Sequence, residues 1–484
     1  MKNMTARLTS LLLVFAFLST PVWATCGGGG GGGGGGMSGN NSSGGDPTVY
    51  FVPWKIVDPA KPVTAGLILY WFPASKEELR MSPLKESRDL SLYASQCVTM
   101  QLADTRVANA DALLGDSKLP VAVLADPQGK VIGKIENNNG KLSLPNVEKL
   151  VAGEVKTRKT DAETQLKDGK SAEAAGNKDA AIKAFQTVLA NRCMFPSQAK
   201  DAAKELKKMG VENVGELPSG PNMDPAFTRR IVKVMKDGLR AENADQYEKA
   251  EQLYAKAVAM DPADPTPRRY LAELYRHHLG DWEKAKIEFH KILDMPSDDL
   301  SRAVALHGLG KITIHEGEFK KGLHLMENSV DVYPTTLAYR NLAVYWNSEH
   351  DFAQGNAYTD KALALDPTDP YNMVFAAVFK AMAGHKDEAL AIAKANANLK
   401  GAYYNLAGIY AQNGEKDKAI EMLRRHFYEY ERYQEVRSKE MMEARVDAVF
   451  DSIRFDKEFL ELTKYADGRL PIPSMPNSGM PMNQ

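Results

Sequence analysis

The second half of the chain repeats itself, and this self-similarity restricts the possible folds more than any other feature. Three stretches show it clearly, each with an aromatic residue, a small residue three positions later and a closing proline. They are YEKAEQLYAKAVAMDP at 247–262, WEKAKIEFHKILDMP at 282–296 and FAQGNAYTDKALALDP at 352–367. A period of about 34 residues with two helical stretches predicts stacked helix pairs, because one pair cannot bury its own apolar faces.

Three weaker copies extend the pattern, at 318–334, 384–397 and 415–427, so that six copies are expected within residues 227–433. A small residue of the first helix recurs as Gly238, Gly310, Ala343, Ala377 and Ala407. A small residue of the second helix recurs as Ala250, Ala285, Gly322, Gly355, Ala389 and Ala419. The closing proline recurs as Pro262, Pro296, Pro334 and Pro367, and it ends the second helix because proline has no amide hydrogen.

These positions resemble those of the tetratricopeptide repeat family. The copies depart from the family pattern in places, since Val234 stands where a tryptophan is usual and the second copy has one extra residue in its first turn region. The resemblance implies an all-α solenoid whose concave side holds peptides or protein termini.

The resemblance also implies which side chains line that concave side. Carried onto this sequence, the exposed polar positions of the first helices are His307, Lys311, Arg340, Asn347, Tyr404 and Gln412. Polar and basic groups there are suited to a carboxylate or an extended chain. The competing interpretation of each residue is ordinary solvated surface.

Residues 47–155 alternate between strand-like and helix-like stretches and therefore predict a small α/β unit. Strands are expected at 49–57, 66–72 and 97–102, with a helix over 76–95. The stretch LPVAVLADPQGKVIGKI at 119–135 predicts a hairpin about its Asp-Pro-Gln-Gly turn. A further helix begins at Leu144.

The order of these elements resembles the thioredoxin-like fold. The resemblance implies a cis peptide bond before Pro120 and a redox dicysteine at the start of the helix after the apolar strand. Ser75 and Glu78 occupy about those two cysteine positions, and neither forms a disulfide. The fold class predicted is thus a redox-inactive thioredoxin-like α/β domain followed by a tetratricopeptide-type solenoid.

Three cysteines are too few for a disulfide scaffold. Two interpretations of Cys97 and Cys193 stay open. They are two buried small apolar residues, or they form a disulfide that joins the α/β unit to the helices after it, as an exported protein allows.

The first 24 residues predict a secretory signal peptide, with Lys2 and Arg7 before a short apolar run and small residues before a cleavage point after Ala24. Residues 25–46 contain ten consecutive glycines and predict a flexible leader. The expected localisation is periplasmic or secreted. The alternative is a lipoprotein acylated at Cys26.

The remaining segments are assigned by composition and spacing. Residues 156–215 predict a helical bridge with one hairpin of the repeat type, followed by a linker rich in proline and glycine at 216–221. Residues 434–466 predict capping helices whose aromatic side chains cover the last hairpin. Residues 467–484 predict a disordered tail.

Several functions have no sequence support. The net charge of −1 argues against a broad nucleic-acid surface. The chain has no GxSxG, HExxH or P-loop sequence, so no catalytic residue and no cofactor is assigned. His277 and His278 are adjacent and are expected to point to different sides of a helix, and His307 and His315 are eight residues apart, so no metal site is predicted.

The function predicted is a non-enzymatic, exported scaffold that binds other proteins or peptides, without a membrane span. One rival is a divergent thiol enzyme that uses Cys97 and recruits its substrate through the repeats. A second rival is a self-assembling structural protein, and a homo-oligomer agrees with the sequence.

Overall fold

The computed structural model describes residues 47–211, 220–349, 351–431 and 434–464. A five-stranded sheet with short helices comes first, and helical hairpins form the rest. The predicted signal peptide, leader and tail, and most of the predicted linker, lie outside the described residues. Within the described ranges, no helix has the length and apolar character needed to cross a membrane.

The sheet forms the core of the first unit. Its strands are β1 Lys55–Ile56, β2 Leu67–Phe72, β3 Val98–Leu102, β4 Val121–Ala125 and β5 Val131–Glu136. They lie in the order β1-β3-β2-β4-β5, with β1, β3 and β2 parallel and β4 and β5 antiparallel. Every residue of β2 and β4 is buried, because apolar clusters pack on both faces of these central strands.

The helices of this unit are shorter than the sequence predicts. They are α1 Lys76–Met81, α2 Arg88–Ala94 and α3 Ala110–Leu114. The single helix expected over 76–95 is wrong, because a 3₁₀ turn at Pro83–Lys85 interrupts it. Pro83 has no amide hydrogen to continue α1, and the Ser87 hydroxyl then accepts from the Leu90 amide and starts α2.

The first predicted strand is also too long. Of residues 49–57, Lys55–Ile56 pair with β3. Pro53, two residues before Lys55, lacks the amide hydrogen that pairing with a neighbouring strand requires. Val49 and Tyr50 instead pack into the apolar core of the helical hairpins. This segment therefore attaches the α/β unit to the helices that follow much later in the chain.

The structure describes Pro120, for which a cis bond is predicted, and both Cys97 and Cys193. The peptide bond between Leu119 and Pro120 is cis. Cys97, just before β3, is bonded to Cys193 with an S–S distance of 2.05 Å and a Cα–Cα distance of 5.8 Å. The α/β unit is thereby joined covalently to the helical segment after it.

Three helices form the bridge: α4 Leu144–Ala174, α5 Lys178–Ala190 and α6 Pro196–Lys208. The boundary predicted at 155–156 falls inside α4, which has 31 residues. Val147 and Val151 near its start pack on the sheet, while Leu166 near its end packs with Phe185 of α5. One continuous helix therefore belongs to both the α/β unit and the bridge hairpin.

Six hairpins follow, each made of two consecutive helices. The pairs are α7 Pro225–Asn243 and α8 Tyr247–Met260, α9 Pro265–Leu274 and α10 Trp282–Asp294, α11 Asp299–His315 and α12 Phe319–Val332, α13 Thr336–Ser348 and α14 Phe352–Leu365, α15 Pro370–Met382 and α16 Lys386–Ala395, and α17 Tyr403–Gln412 and α18 Lys416–Arg425. Capping helices α19 Gln434–Val446 and α20 Lys457–Leu462 end the array.

The small residues at the recurring positions are where paired helices come closest. A Cβ atom added at Gly322 of α12 would lie 2.5 Å from the Gly310 carbonyl oxygen of α11. No side chain fits at that distance, so glycine at both positions lets the two backbones touch. At the end of the array, Phe450 and Phe459 are buried and cover α17 and α18, whereas Phe455 is exposed.

Candidate functional site

The side chains predicted to line an open concave groove are mostly buried, which corrects the expectation of exposure. His307, Lys311, Arg340 and Tyr404 are all buried, and Asn347 and Gln412 are half-buried. They lie on first helices, where the repeat pattern places them, but other parts of the chain cover them.

Polar atoms of His307 and Arg340 contact neighbouring helices of the array. Asn341 Nδ2 and His307 Nε2 lie 2.7 Å apart, so that α13 of the fourth hairpin is bound to α11 of the third. Arg340 Nη1 donates to Asn372 Oδ1 at 2.6 Å and to Asp369 Oδ2 at 3.3 Å. These contacts stabilise neighbouring hairpins.

Tyr404 and Gln412 also have partners within the chain. The Tyr404 hydroxyl donates to Asp447 Oδ2 at 3.0 Å, and Gln412 Nε2 donates to the Gly408 carbonyl at 3.2 Å. The contact of Tyr404 could not be predicted from the repeat pattern, because Asp447 follows the last repeat copy and shows no repeat signal.

The burial has a larger cause, since the array curls until its early and late hairpins meet. Lys400 Nζ lies 3.1 Å from Asp245 Oδ2, 155 residues away in the chain. His315 Nδ1 lies 2.8 Å from Glu443 Oε1 of α19. The concave side is therefore in contact with the C-terminal segment.

Two π-helical segments meet at this contact. One is Tyr275–Leu279, which follows α9 and ends at Gly280 in the left-handed region with φ of 64°. The other is His426–Tyr430, which follows α18. A π turn takes in one more residue than an α turn, which accounts for the extra residue of the second copy.

The first π turn brings two histidine rings together. The rings of His277 and His278 stack with centroids 4.4 Å apart, and Tyr247 stacks on His278 from the other side at 4.3 Å. The expectation that the two histidines point to different sides of a helix is wrong. More residues per turn mean a smaller angle between neighbouring side chains.

Glu431, directly after the second π turn, completes a three-residue group. One donor atom each from His277, His278 and Glu431 lie within 4.8 Å of one another. The Tyr430 hydroxyl lies 3.2 Å from His277 Nε2, and Glu242 Oε1 lies 3.8 Å from His278 Nε2. Residues of α7, of the π turn after α9 and of the segment after α18 thus converge on one site.

The helical array matches known repeat sequences at two places. Two family models, both described as tetratricopeptide repeat, match residues 236–295 and 401–425, respectively. The chain contains tetratricopeptide repeats.

Proteins similar to this chain match it at low identity. The CTR9 homolog of Arabidopsis thaliana is 24% identical over 178 residues, which are 37% of this chain and 14% of that protein. The structure of PilF from Pseudomonas aeruginosa is 18% identical and covers 44% of this chain and 98% of that one, with a TM-score of 0.30. A tetratricopeptide repeat protein from Parabacteroides merdae is 14% identical, covering 58% and 97%, with a TM-score of 0.33.

Burial sets the charge of the three groups where the tetratricopeptide repeats meet. Burial, assisted by the Arg276 guanidinium, lowers the pKa of His278 to about 3. Burial and the neighbouring His278 hold the pKa of His277 well below its usual range. Burial and the nearby Glu440 carboxylate raise the pKa of Glu431 well above the ordinary value. Both imidazoles are therefore neutral at pH 7.

A separate polar junction fixes the α/β unit on the first repeats. Arg88 Nη2 donates to Asp261 Oδ2 at 2.7 Å, and Arg88 Nη1 donates to the Asn222 carbonyl at 2.8 Å and to the Thr228 hydroxyl at 2.9 Å. The Tyr333 hydroxyl donates to the Trp54 carbonyl at 3.3 Å. The two parts therefore share an interface with well-defined polar contacts.

The α/β unit has no thiol at the start of α1. Ser75 is the N-cap there, and its hydroxyl accepts from the Glu78 amide at 3.1 Å. Cys97 is bonded to Cys193, so the free thiol that the enzyme alternative requires is not present at Cys97.

Proposed function

We propose that this chain is an exported protein-interaction scaffold, in which tetratricopeptide repeats bind a partner protein and a redox-inactive thioredoxin-like unit supports them. The single observation that carries the proposal is the array of six repeat hairpins with the α/β unit docked on its first members. Stacked repeats of this kind form extended surfaces suited to binding.

The binding surface of this scaffold differs from the groove that the sequence suggested. His307, Arg340 and Tyr404 already have partners within the chain. Exposed apolar residues farther along the array, Leu365 at the end of α14 and Met382 at the end of α15, mark surface that the curled array leaves open. We assign partner binding to this open surface of the fourth and fifth repeats.

Photo-cross-linking in the native host tests this assignment. A photoreactive amino acid replaces Leu365 or Met382 in the full chain, and Met81 of α1, also exposed, is the matched control. We expect both array positions to form an adduct with the same foreign protein and the Met81 position to form none. Adducts with copies of this chain alone would instead favour the self-assembly alternative.

Export is supported by the character of residues 1–24 and by the Cys97–Cys193 disulfide, since such bonds persist in oxidising compartments. The intact mass of the purified native protein separates the alternatives. A chain that begins at Thr25 supports cleavage after Ala24. A diacylated chain that begins at Cys26 supports the lipoprotein, and an unprocessed chain contradicts export.

The thioredoxin-like assignment is supported by the sheet order and by the helix that starts at Ser75 after the central strand. A disulfide exchange assay tests its inactivity. We expect no catalysed reduction of a disulfide substrate by the full chain, because the start of α1 has no thiol. Turnover that disappears when Cys97 is replaced would favour the thiol-enzyme alternative.

A further inference from the structure

The group formed by His277, His278 and Glu431 has unused donor atoms. Nδ1 of His278 and Oε1 of Glu431 are buried and lack a hydrogen-bond partner. Their side chains are 8% and 1% exposed, respectively. Buried polar atoms are rarely left without a partner, and leaving one unpaired costs about 1–3 kcal/mol. Such atoms beside each other indicate that something binds between them.

The chemistry of the donors indicates what binds. Two imidazole nitrogens and one carboxylate oxygen are a set found at zinc sites that keep a fourth position open. We propose that His277, His278 and Glu431 bind one divalent transition-metal ion of the zinc class. His277 is 16% exposed, so the group remains reachable from solvent.

The surroundings of the three residues suit this role. The Tyr430 hydroxyl at His277 Nε2 leaves the other ring nitrogen, Nδ1, 3.9 Å from Glu431 Oε1. Glu242 near His278 Nε2 likewise orients that ring. Groups that hold the second nitrogen of a ligating histidine fix its orientation and increase its affinity for metal.

Charged side chains of both signs surround the group, since Glu440 and Asp245 lie near Glu431 together with Arg276 and Arg437. The Glu440 carboxylate repels Glu431, and a divalent ion between the donors would offset that repulsion. Three of the nearby cations have partners of their own. Arg276 Nη2 pairs with Glu273 at 2.7 Å, Lys400 pairs with Asp245 at 3.1 Å, and Arg437 Nη1 donates to the Phe427 carbonyl at 3.4 Å.

A metal ion here would link the second repeat to the end of the sixth. His277 and Glu431 belong to elements at opposite ends of the array, and Tyr430 is 153 residues from His277. The ion would thus add to the contacts between early and late hairpins that the His277–Tyr430 and Lys400–Asp245 pairs already make. This inference does not depend on the proposed scaffold function.

Titration of the full mature chain, purified without a histidine tag, with Co²⁺ and then Zn²⁺ tests the proposal. The matched variants are Glu431→Gln and His278→Gln in the site and His290→Gln as the control, because His290 is exposed on α10. Cys26 is the same in all four proteins, so any binding there is a common background.

We expect one equivalent of Co²⁺ to give the intense visible absorption of a tetrahedral site, and Zn²⁺ to displace it. Glu431→Gln and His278→Gln should each weaken binding by at least about tenfold, whereas His290→Gln should bind as the parent does. Far-UV circular dichroism without metal checks that the variants fold. Failure of the parent to bind one equivalent, or equal binding by every folded site variant, overturns the proposal.

Discussion

Arg88 and Asp264 lie 176 residues apart in the chain, and Arg88 Nε donates to Asp264 Oδ2 at 3.0 Å. Their side chains are 1% and 0% exposed. Asp264 is also the N-cap of α9, and it accepts from the Tyr50 hydroxyl at 2.9 Å. One aspartate therefore starts a repeat helix and binds the α/β unit, so the stability of the two parts is coupled.

Replacing Arg88 should uncouple the two parts. In Arg88→Met, the Asp261 and Asp264 carboxylates stay buried without their guanidinium partner, and we expect a loss of about 3–5 kcal/mol in the free energy of unfolding. Urea denaturation followed by tryptophan fluorescence measures it. Arg80→Met is the control, because Arg80 and its partner Glu77 are both exposed to solvent and such a pair contributes little to stability. Equal stability of the two variants would contradict the coupling.

Gly322→Ala should separate the helices of the third repeat. The added methyl would lie 2.5 Å from the Gly310 carbonyl oxygen and 2.9 Å from the Ile314 amide nitrogen, both of which are backbone atoms. We expect a loss of about 1–3 kcal/mol, measured by chemical denaturation. In the control Gly153→Ala, nothing lies within 4 Å of the new methyl, so it should gain up to about 1 kcal/mol. A gain in both variants would argue against close packing.

Because of Asp447, the stability of the C-terminal capping segment should fall as pH rises, which is the opposite of the usual effect of a carboxylate. Burial raises the pKa of Asp447 to about 6, so the folded state keeps a proton that the unfolded state has lost. Stability therefore falls as pH rises from about 4 to about 6. Asp447→Asn keeps an acceptor for Tyr404 and should gain about 1–3 kcal/mol at pH 7 but little at pH 4. Unfolding measured at both values checks this.

Asp456 is the matched control for that experiment. It caps the next helix, α20, and its hydrogen bond with Lys416 lowers the pKa of the Asp456 carboxyl. Its contribution is present above the unfolded pKa and lost as pH falls through the folded one. Asp456→Asn should therefore lose stability at pH 7. If stability depends on pH in the same way in Asp447→Asn and Asp456→Asn, the opposite pKa shifts of the two carboxyls are contradicted.

The disulfide should be a large part of the stability of the first half. Cys97 and Cys193 are separated by 96 residues, and closing a loop of that length is worth about 4–5 kcal/mol by chain entropy. A reductant should lower the melting temperature of the parent and of Cys26→Ser. It should not affect the double variant C97S/C193S. If thiol titration shows that the bond is reduced and the melting temperature of the parent is unchanged, this estimate is contradicted.

The fold of the repeats could be predicted because their contacts are local in sequence. Gly310 and Gly322 are twelve residues apart, and their approach is visible as small residues in phase. The 3₁₀ turn at Pro83–Lys85 was also within reach, since Pro83 and Ser87 are strong signals for ending and starting helices. The packing of Tyr50 on distant helices has no such signal.

The site was less predictable, because its members come from opposite ends of the array. The extra residue before Gly280 was visible in the sequence as a slip in the period, and a π turn is one way to accommodate it. Nothing local connects His277 with Glu431, since their contact depends on the accumulated curl of all the repeats between them. The burial of His307 and Arg340 has the same origin.

The contact of Asp245 with Lys400 restricts how many repeats this array can contain. An open solenoid tolerates the gain or loss of a copy, because each copy touches its neighbours alone. Here the deletion of one copy would turn the last hairpin away from the first, and Lys400 would no longer reach Asp245. The closed contact therefore requires this number of repeats as well as their sequences.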